Sequence, residues 1–144
     1  MSGSFAHLAR LTTATGLFEH ALGTTPRLEH GMCVDDVARA LVVTARQPDP
    51  APEVVAMSGT YLRFLLDAQQ DDGLMHNRRS TTGVWLDVPS ADDQWGRALW
   101  AFGVAATRSP DPQVRDGAGR GAARALAARS PYPRAMAYAA LGAA

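Results

Sequence analysis

The chain has no lysine, no isoleucine and a single asparagine, Asn77. All 14 basic residues are arginine, and they meet 14 acids, so the formal net charge is zero. The missing and scarce residue types share AT-rich codons, which points to a GC-rich genome rather than to chemistry. With no net positive charge and no basic run, nucleic acid and anionic membranes are poor candidate partners. No apolar run approaches the roughly 20 residues of a membrane span. The opening "MSGSFAHLAR" lacks the basic flank and apolar core of a signal peptide. One cysteine, Cys33, makes no internal disulfide. The expectation is a soluble, cytoplasmic protein, with 1–144 forming one domain around a modest core.

β-branched residues are sparse, alanine is abundant, and no segment alternates with period two. That pattern predicts an all-α fold. Proline punctuation agrees. "DPAP" (49–52), "SPDP" (109–112) and "SPYP" (130–133) share one plan, in which a small polar residue caps a helix and proline takes its first position.

Helices are expected at about 4–13, 34–46, 51–70, 92–107, 111–128 and from Pro131 to the chain end. In the second, Val34, Val37, Ala38, Leu41, Val42 and Ala45 recur at the spacing of one apolar face. The fourth is apolar nearly all round, with Trp95, Leu99 and Phe102 on one side and Trp100, Gly103 and Val104 on another, so it belongs between other helices. The fifth is rich in alanine and arginine and reads as peripheral. Connections alternate between short turns and two long stretches, 14–33 and 71–91. The short ones make antiparallel hairpins. The long ones hold His20, His30, His76, Asn77, Trp85 and Asp87, and each runs into an Asp-rich helix start.

Those two starts, "CVDDVARAL" and "SADDQWGRAL", align on Arg39 and Arg97. Asp35 precedes Arg39 by four residues, as Asp93 precedes Arg97; Asp36 and Asp92 are the second acids. Such pairs share a helix face and contribute about 0.2–0.5 kcal/mol. Acids in a first turn also meet the positive end of the helix dipole, and Ser90 with Asp93 fits a capping box. Structural capping therefore explains any one of these acids. Carboxylates at the rim of an apolar cavity are equally suited to binding sugar hydroxyls or to acid/base chemistry.

At these residues a resemblance enters. "GLFEHALGTTPRLEHGMCVDDVARALVV", "FLLDAQQDDGLMHN", "VWLDVPSADDQWGRALWAFG" and "SPYPRAMAYAALG" resemble consecutive blocks of bacterial (α/α)-toroid domains, which occur alone or fused to glycosyltransferases and other carbohydrate-active proteins. The likeness runs from residue 16 to 144. It implies antiparallel helical hairpins around a funnel, here an incomplete (α/α)6-type toroid, because the chain supplies about half the hairpins of a full ring. Either the chain is a fragment or two chains complete the ring. Three hairpins alone would leave the inner faces of the second, fourth and sixth helices partly open. The resemblance places Glu19, His20, His30, Asp35, Asp36, Arg39, Asp92, Asp93 and Arg97 at or behind the funnel. Met32 and Val37 depart from the usual Tyr and Asn.

Asp35, Asp36, Asp92 and Asp93 are thus the candidate catalytic carboxylates, with His30 as proton shuttle or hydroxyl ligand. Glu19, His20, Arg39, Arg97 and the loop residue Trp85 are the candidate substrate-binding groups. Trp95 and Trp100 read as core. His20, His30, Cys33, Asp35 and Asp36 lie close in sequence but lack zinc-site spacing, so no metal and no cofactor are expected. Gly73 of "QQDDG" reads as the C-terminal cap of the third helix. The expected activity is carbohydrate processing or recognition linked to glycan metabolism, with a carbohydrate ligand and a second copy or a glycosyltransferase as partner. The competing expectation is a non-catalytic scaffold or accessory domain.

Overall fold

The computed structural model describes residues 4–144. Its six helices are α1 (Ala6–Leu11), α2 (Val34–Ala45), α3 (Pro52–Ala68), α4 (Asp93–Arg108), α5 (Pro112–Ala125) and α6 (Pro133–Ala143). Three short antiparallel pairs organise the long connections. They are β1 (Thr12–Thr13) with β2 (Gly16–Leu17), β3 (Ala21–Leu22) with β4 (Thr25–Pro26), and β5 (Met32–Cys33) with β6 (Arg78–Arg79). The all-α expectation therefore holds for the bulk of the chain but not for its loops. Two-residue strands are too short to write an alternating pattern into the sequence.

Helix α4 is the centre, packed against α2, α5 and α6, while α3 packs on α2 and touches α5. One layer is α2, α4 and α6; the other is α3 and α5. Ion pairs between Asp35 and Arg97 and between Asp93 and Arg134 bring the heads of α2, α4 and α6 together. Their far ends meet around a groove lined by Arg46, Arg108 and Leu141. The three helices of the inner layer therefore run the same way. Among the described residues no helix is long and apolar enough to cross a membrane.

The core follows the expected apolar faces. Val34, Val37, Leu41, Tyr61, Leu65, Trp95, Leu99 and Phe102 are all buried. Each such side chain contributes roughly 1.5–3 kcal/mol on leaving water. The indole N–H of Trp95 donates to the Ala125 carbonyl at 3.1 Å, so the polar end of the ring is satisfied. Glycines set the helix spacing. Gly96 lies against the Ala135 backbone, Gly103 against that of Gly142, and Gly142 against that of Leu99, so α4 and α6 touch backbone to backbone. On α5, Gly117 receives Leu62 and Gly121 receives Phe102, which is how an Ala- and Arg-rich outer helix packs.

Proline opens α3, α5 and α6 as expected, at Pro52, Pro112 and Pro133, because its missing N–H is one that needs no partner there. The last helix thus starts at Pro133 rather than Pro131. Only α5 has the expected side-chain cap: Asp111 accepts from the Gln113 N–H at 2.8 Å. Helix α3 ends at Ala68, and Gly73 is not its cap. Gly73 sits at φ +86° in the following turn, where its N–H donates to the Gln70 carbonyl at 3.0 Å.

The two long connections are tied to each other. β5 belongs to the first and β6 to the second, with Met32 opposite Arg79 and Cys33 opposite Arg78. Gly31 makes this possible: its φ is +70°, and a Cβ there would strike the Arg79 carbonyl.

Candidate functional site

The tie between the loops delivers the polar groups. Leaving β5, the chain enters α2 with Cys33 extended at the N-cap and Asp35 and Asp36 in the first turn. The N–H of Val34 is satisfied from outside the helix, by the Asn77 carbonyl at 2.8 Å. Asn77 is itself held by Asp87, whose carboxylate accepts from the Asn77 N–H at 2.6 Å and from the Arg78 N–H at 3.2 Å. Helix α4 begins at Asp93 with Asp92 as N-cap.

Asp35 accepts from Arg97 at 2.5 Å and from the Asn77 side-chain amide at 3.3 Å. Arg97 also lies 3.7 Å from Asp93, which pairs in turn with Arg134 of α6. Four alternating charges thus link the heads of three helices. The expected Asp35–Arg39 pair does not form. Arg39 turns to Asp36 at 2.5 Å, and Asp35 is taken by Arg97 because layer packing sets the first turn of α4 beside that of α2. The Ser90–Asp93 capping box does not form either. The Ser90 hydroxyl donates to Asp92 at 2.8 Å and accepts from Gln94 at 2.8 Å.

Around this network Asp35, Asn77, Asp92, Asp93, Tyr132 and Arg134 line an open cleft of about 500 Å³. Burial opposes the charge on Arg97, but the Asp35 hydrogen bond and charge more than offset it, and its pKa is raised. Arg97 is therefore a permanent cation that fixes Asp35 as its carboxylate partner. Asp92 differs: it is exposed, and its side chain bonds only to Ser90.

A second polar group lies beside the start of α2, away from that cleft. Arg78 grips Glu19 with two bonds, 3.2 and 2.6 Å, and reaches the His30 carbonyl at 3.4 Å. The His20 ring meets His30 edge-on at 4.7 Å and lies 3.5 Å from Glu19. The Cys33 thiol donates to Asp36 at 3.2 Å. Glu19, Cys33 and Asp36 bring metal-ligand atoms within 4.8 Å of one another. Arg78 and Arg39 already neutralise the two acids, and burial, followed by the Asp36 charge, pushes the Cys33 thiol pKa well up. Without a bound metal, Cys33 is therefore a neutral thiol rather than an activated nucleophile.

The structure thus divides the sequence-derived residues. Asp35, Asp92, Asp93 and Arg97 meet at the cleft; Glu19, His20, His30, Asp36 and Arg39 gather in the second group. Trp85 joins neither. Its ring stacks on His76 at 5.1 Å, meets Phe64 edge-on at 5.4 Å and lies under Arg79 at 5.1 Å. It pins the second loop. Asn77, noted in the sequence as a loop residue but not as a site residue, lines the cleft with Tyr132 and Arg134, which were not singled out. Asn77 carried one signal, as the only asparagine in the chain. Tyr132 and Arg134 carried none, because their place depends on how α6 lies against α4. No protein-family model matches the chain, and no curated protein is significantly similar to it.

Proposed function

We propose that this chain is a carbohydrate-recognising helical-hairpin domain of the (α/α)-toroid kind, acting in glycan metabolism. The observation that carries the reading is the convergence of Asp35, Asp92 and Asp93 with Asn77, Arg134 and Tyr132 around one open cleft at the heads of three co-directional helices. The blocks that resemble toroid domains, "HGMCVDDVARAL" and "DDQWGRALW", fall at two of those heads. In this reading α2, α4 and α6 are an arc of the inner wall, and a second copy or a glycosyltransferase partner supplies the rest of the ring.

The chemistry divides between the acids. Asp35 and Asp93, clamped by Arg97 and Arg134, offer fixed oxygens that accept sugar hydroxyls in charge-assisted bonds. Asp92 is the carboxylate free to move a proton at a glycosidic or hemiacetal centre. One observation favours the scaffold reading instead: Asp35, Asp36 and Asp93 each already have an arginine partner from this chain, an arrangement that also serves to tie helices together.

Thermal unfolding with a panel of neutral mono- and oligosaccharides separates the two. A ligand that binds only the folded chain raises the midpoint as its concentration rises. A sugar-specific rise that Asp35→Asn weakens, beyond that variant's own loss of intrinsic stability, supports the carbohydrate site, and sugar turnover lost in Asp92→Asn with the rise retained supports its proton-transfer role. No rise with any sugar leaves the scaffold.

A further inference from the structure

We propose that Glu19, Cys33, Asp36 and His20 bind a zinc-class divalent cation, which locks the first long connection onto the head of α2. The site is separate from the cleft and does not depend on the carbohydrate reading.

These residues belong to the second polar group, which the cleft leaves unused. Glu19 and His20 lie between β2 and β3, Cys33 ends β5, and Asp36 sits in the first turn of α2. Backbone pairing brings the two segments together: the Glu19 N–H donates to the Gly31 carbonyl at 3.1 Å, and Phe18 bridges to Met32. A Glu19 carboxylate oxygen, the Cys33 sulfur and an Asp36 carboxylate oxygen all lie within 4.8 Å of one another. The Cys33 sulfur and Asp36 Oδ2 are 3.2 Å apart. Ligand atoms on a tetrahedral zinc stand about 3.3–3.8 Å from each other, so the set closes with side-chain shifts of about 1 Å. His20 waits at its edge. Its ring is half exposed and free to turn, and its Nε2 is 3.5 Å from Glu19 Oε1, already the spacing of two ligands on one ion.

His30 supplies an independent sign. Its Nε2 is buried without a hydrogen-bond partner among the described residues, and Glu29 is 3.8 Å from it. A buried polar nitrogen left unpaired is costly. Its ring meets that of His20 edge-on at 4.7 Å. A histidine that binds metal through one ring nitrogen has the other N–H to donate, and such ligands nearly always find an acceptor for it. The orphaned nitrogen of His30 is that acceptor for His20.

The donor set selects the ion. Magnesium and calcium take oxygen ligands, whereas sulfur, nitrogen and carboxylate oxygen together suit zinc. The ion takes the place of the proton that Cys33 donates to Asp36: a sulfur–metal bond forms and the proton passes to solvent. Arg39 keeps its bond to Asp36 Oδ1, the oxygen turned away from Cys33, and Arg78 keeps Glu19 Oε2 and yields the longer bond to Oε1. The two arginines thus remain as partners of the ligating carboxylates. Four protein ligands leave no open position, so the role is structural. The sequence shows no zinc-type spacing because half of the set comes from the loop before β3 and half from the head of α2.

The test is titration of the whole chain, stripped by a chelator, with cobalt and then zinc, followed by absorption spectra. The wild type should bind one ion per chain. It should show a sulfur-to-cobalt charge-transfer band and the strong visible bands of tetrahedral cobalt, and lose both when zinc is added. Zinc should also raise the thermal midpoint, as a ligand of the folded state does. Cys33→Ser should abolish the charge-transfer band, and Glu19→Gln and His20→Ala should each weaken zinc binding by at least about tenfold. His20 is 52% exposed, so its replacement probes the site without touching the core. A wild type with no charge-transfer band overturns the site. So does zinc affinity unchanged in Cys33→Ser. A band that persists with unchanged zinc affinity in both Glu19→Gln and His20→Ala also overturns it, leaving Cys33 as a lone thiol that takes up metal adventitiously.

Discussion

Arg97 of α4 donates to Asp35 of α2 at 2.5 Å, although its own helix offers Asp93 at 3.7 Å. Burial does not separate the two acids, at 20% and 22% exposure; Asp35 lies in hydrogen-bond reach of Arg97, where a charge-assisted bond away from water is strong, while Asp93 is taken by Arg134. Arg97→Ala should therefore cost about 3 kcal/mol, since it leaves Asp35 partly buried and unpaired. Arg39, 52% exposed against Asp36, should cost under about 1 kcal/mol when replaced by alanine. Urea midpoints of both variants, and of the Asp35→Ala/Arg97→Ala pair, check this. Equal losses for Arg97 and Arg39, or strict additivity in the pair, would remove the special weight given to the cross-helix bond.

The contact of α4 with α6 gives a second expectation. Gly103→Ala places a methyl group against the Gly142 carbonyl, a backbone atom that no side-chain rotation can move. The loss should be about 2–3 kcal/mol. Gly119 on α5 has nothing near it, so Gly119→Ala should raise stability by up to about 1 kcal/mol through helix propensity alone. Thermal midpoints moving in the same direction for both would mean that α4 and α6 do not approach as closely as described.

Cys33 sets an alkaline limit. Burial, then the Asp36 charge, raises its pKa above the ordinary 9.0. The unfolded chain therefore releases this proton first as pH rises. Stability from this group is complete below pH 9 and falls above it, at up to about 1.4 kcal/mol per pH unit. Tyr61, raised from 10.0 chiefly by burial, adds a slope of the same sign at higher pH. Urea titrations between pH 8 and pH 10 should show the decline in wild type and a weaker one in Cys33→Ala. The folded thiol should also react slowly with iodoacetamide below pH 9, and rapid alkylation of the native chain would contradict its neutral, buried state.

The helices and their apolar faces were legible because burial periodicity and N1 prolines are local signals. Val34 through Ala45 and the prolines at 52 and 112 needed no tertiary knowledge. The convergence of Asp35 with Asp93 was half legible: the repeated "DD…RAL" segments marked both helix heads, but not that Arg97 would cross to Asp35. That exchange is decided by the packing of α2 on α4, which no i, i+4 rule contains. The packing of Trp85 was hidden for a similar reason. A tryptophan in a polar loop reads as available, yet this one folds back on His76 and Arg79 of its own loop and packs on Phe64 of α3. The strand pairs were invisible because each spans two residues and is held by backbone groups that every sequence has.

The pairing of Met32–Cys33 with Arg78–Arg79 has a consequence of its own. It closes the backbone between Cys33 and Arg78 into a cycle that contains all of α2 and α3. Closing a cycle of that size costs little more than closing a short one, so a clip of two residues per side suffices. The clip joins the two ends of the hairpin, so fraying from either end must first break it. Asp35 at its head stays in place for as long as the clip holds. The chain could be cut at the 46–51 turn and continued elsewhere without releasing either half.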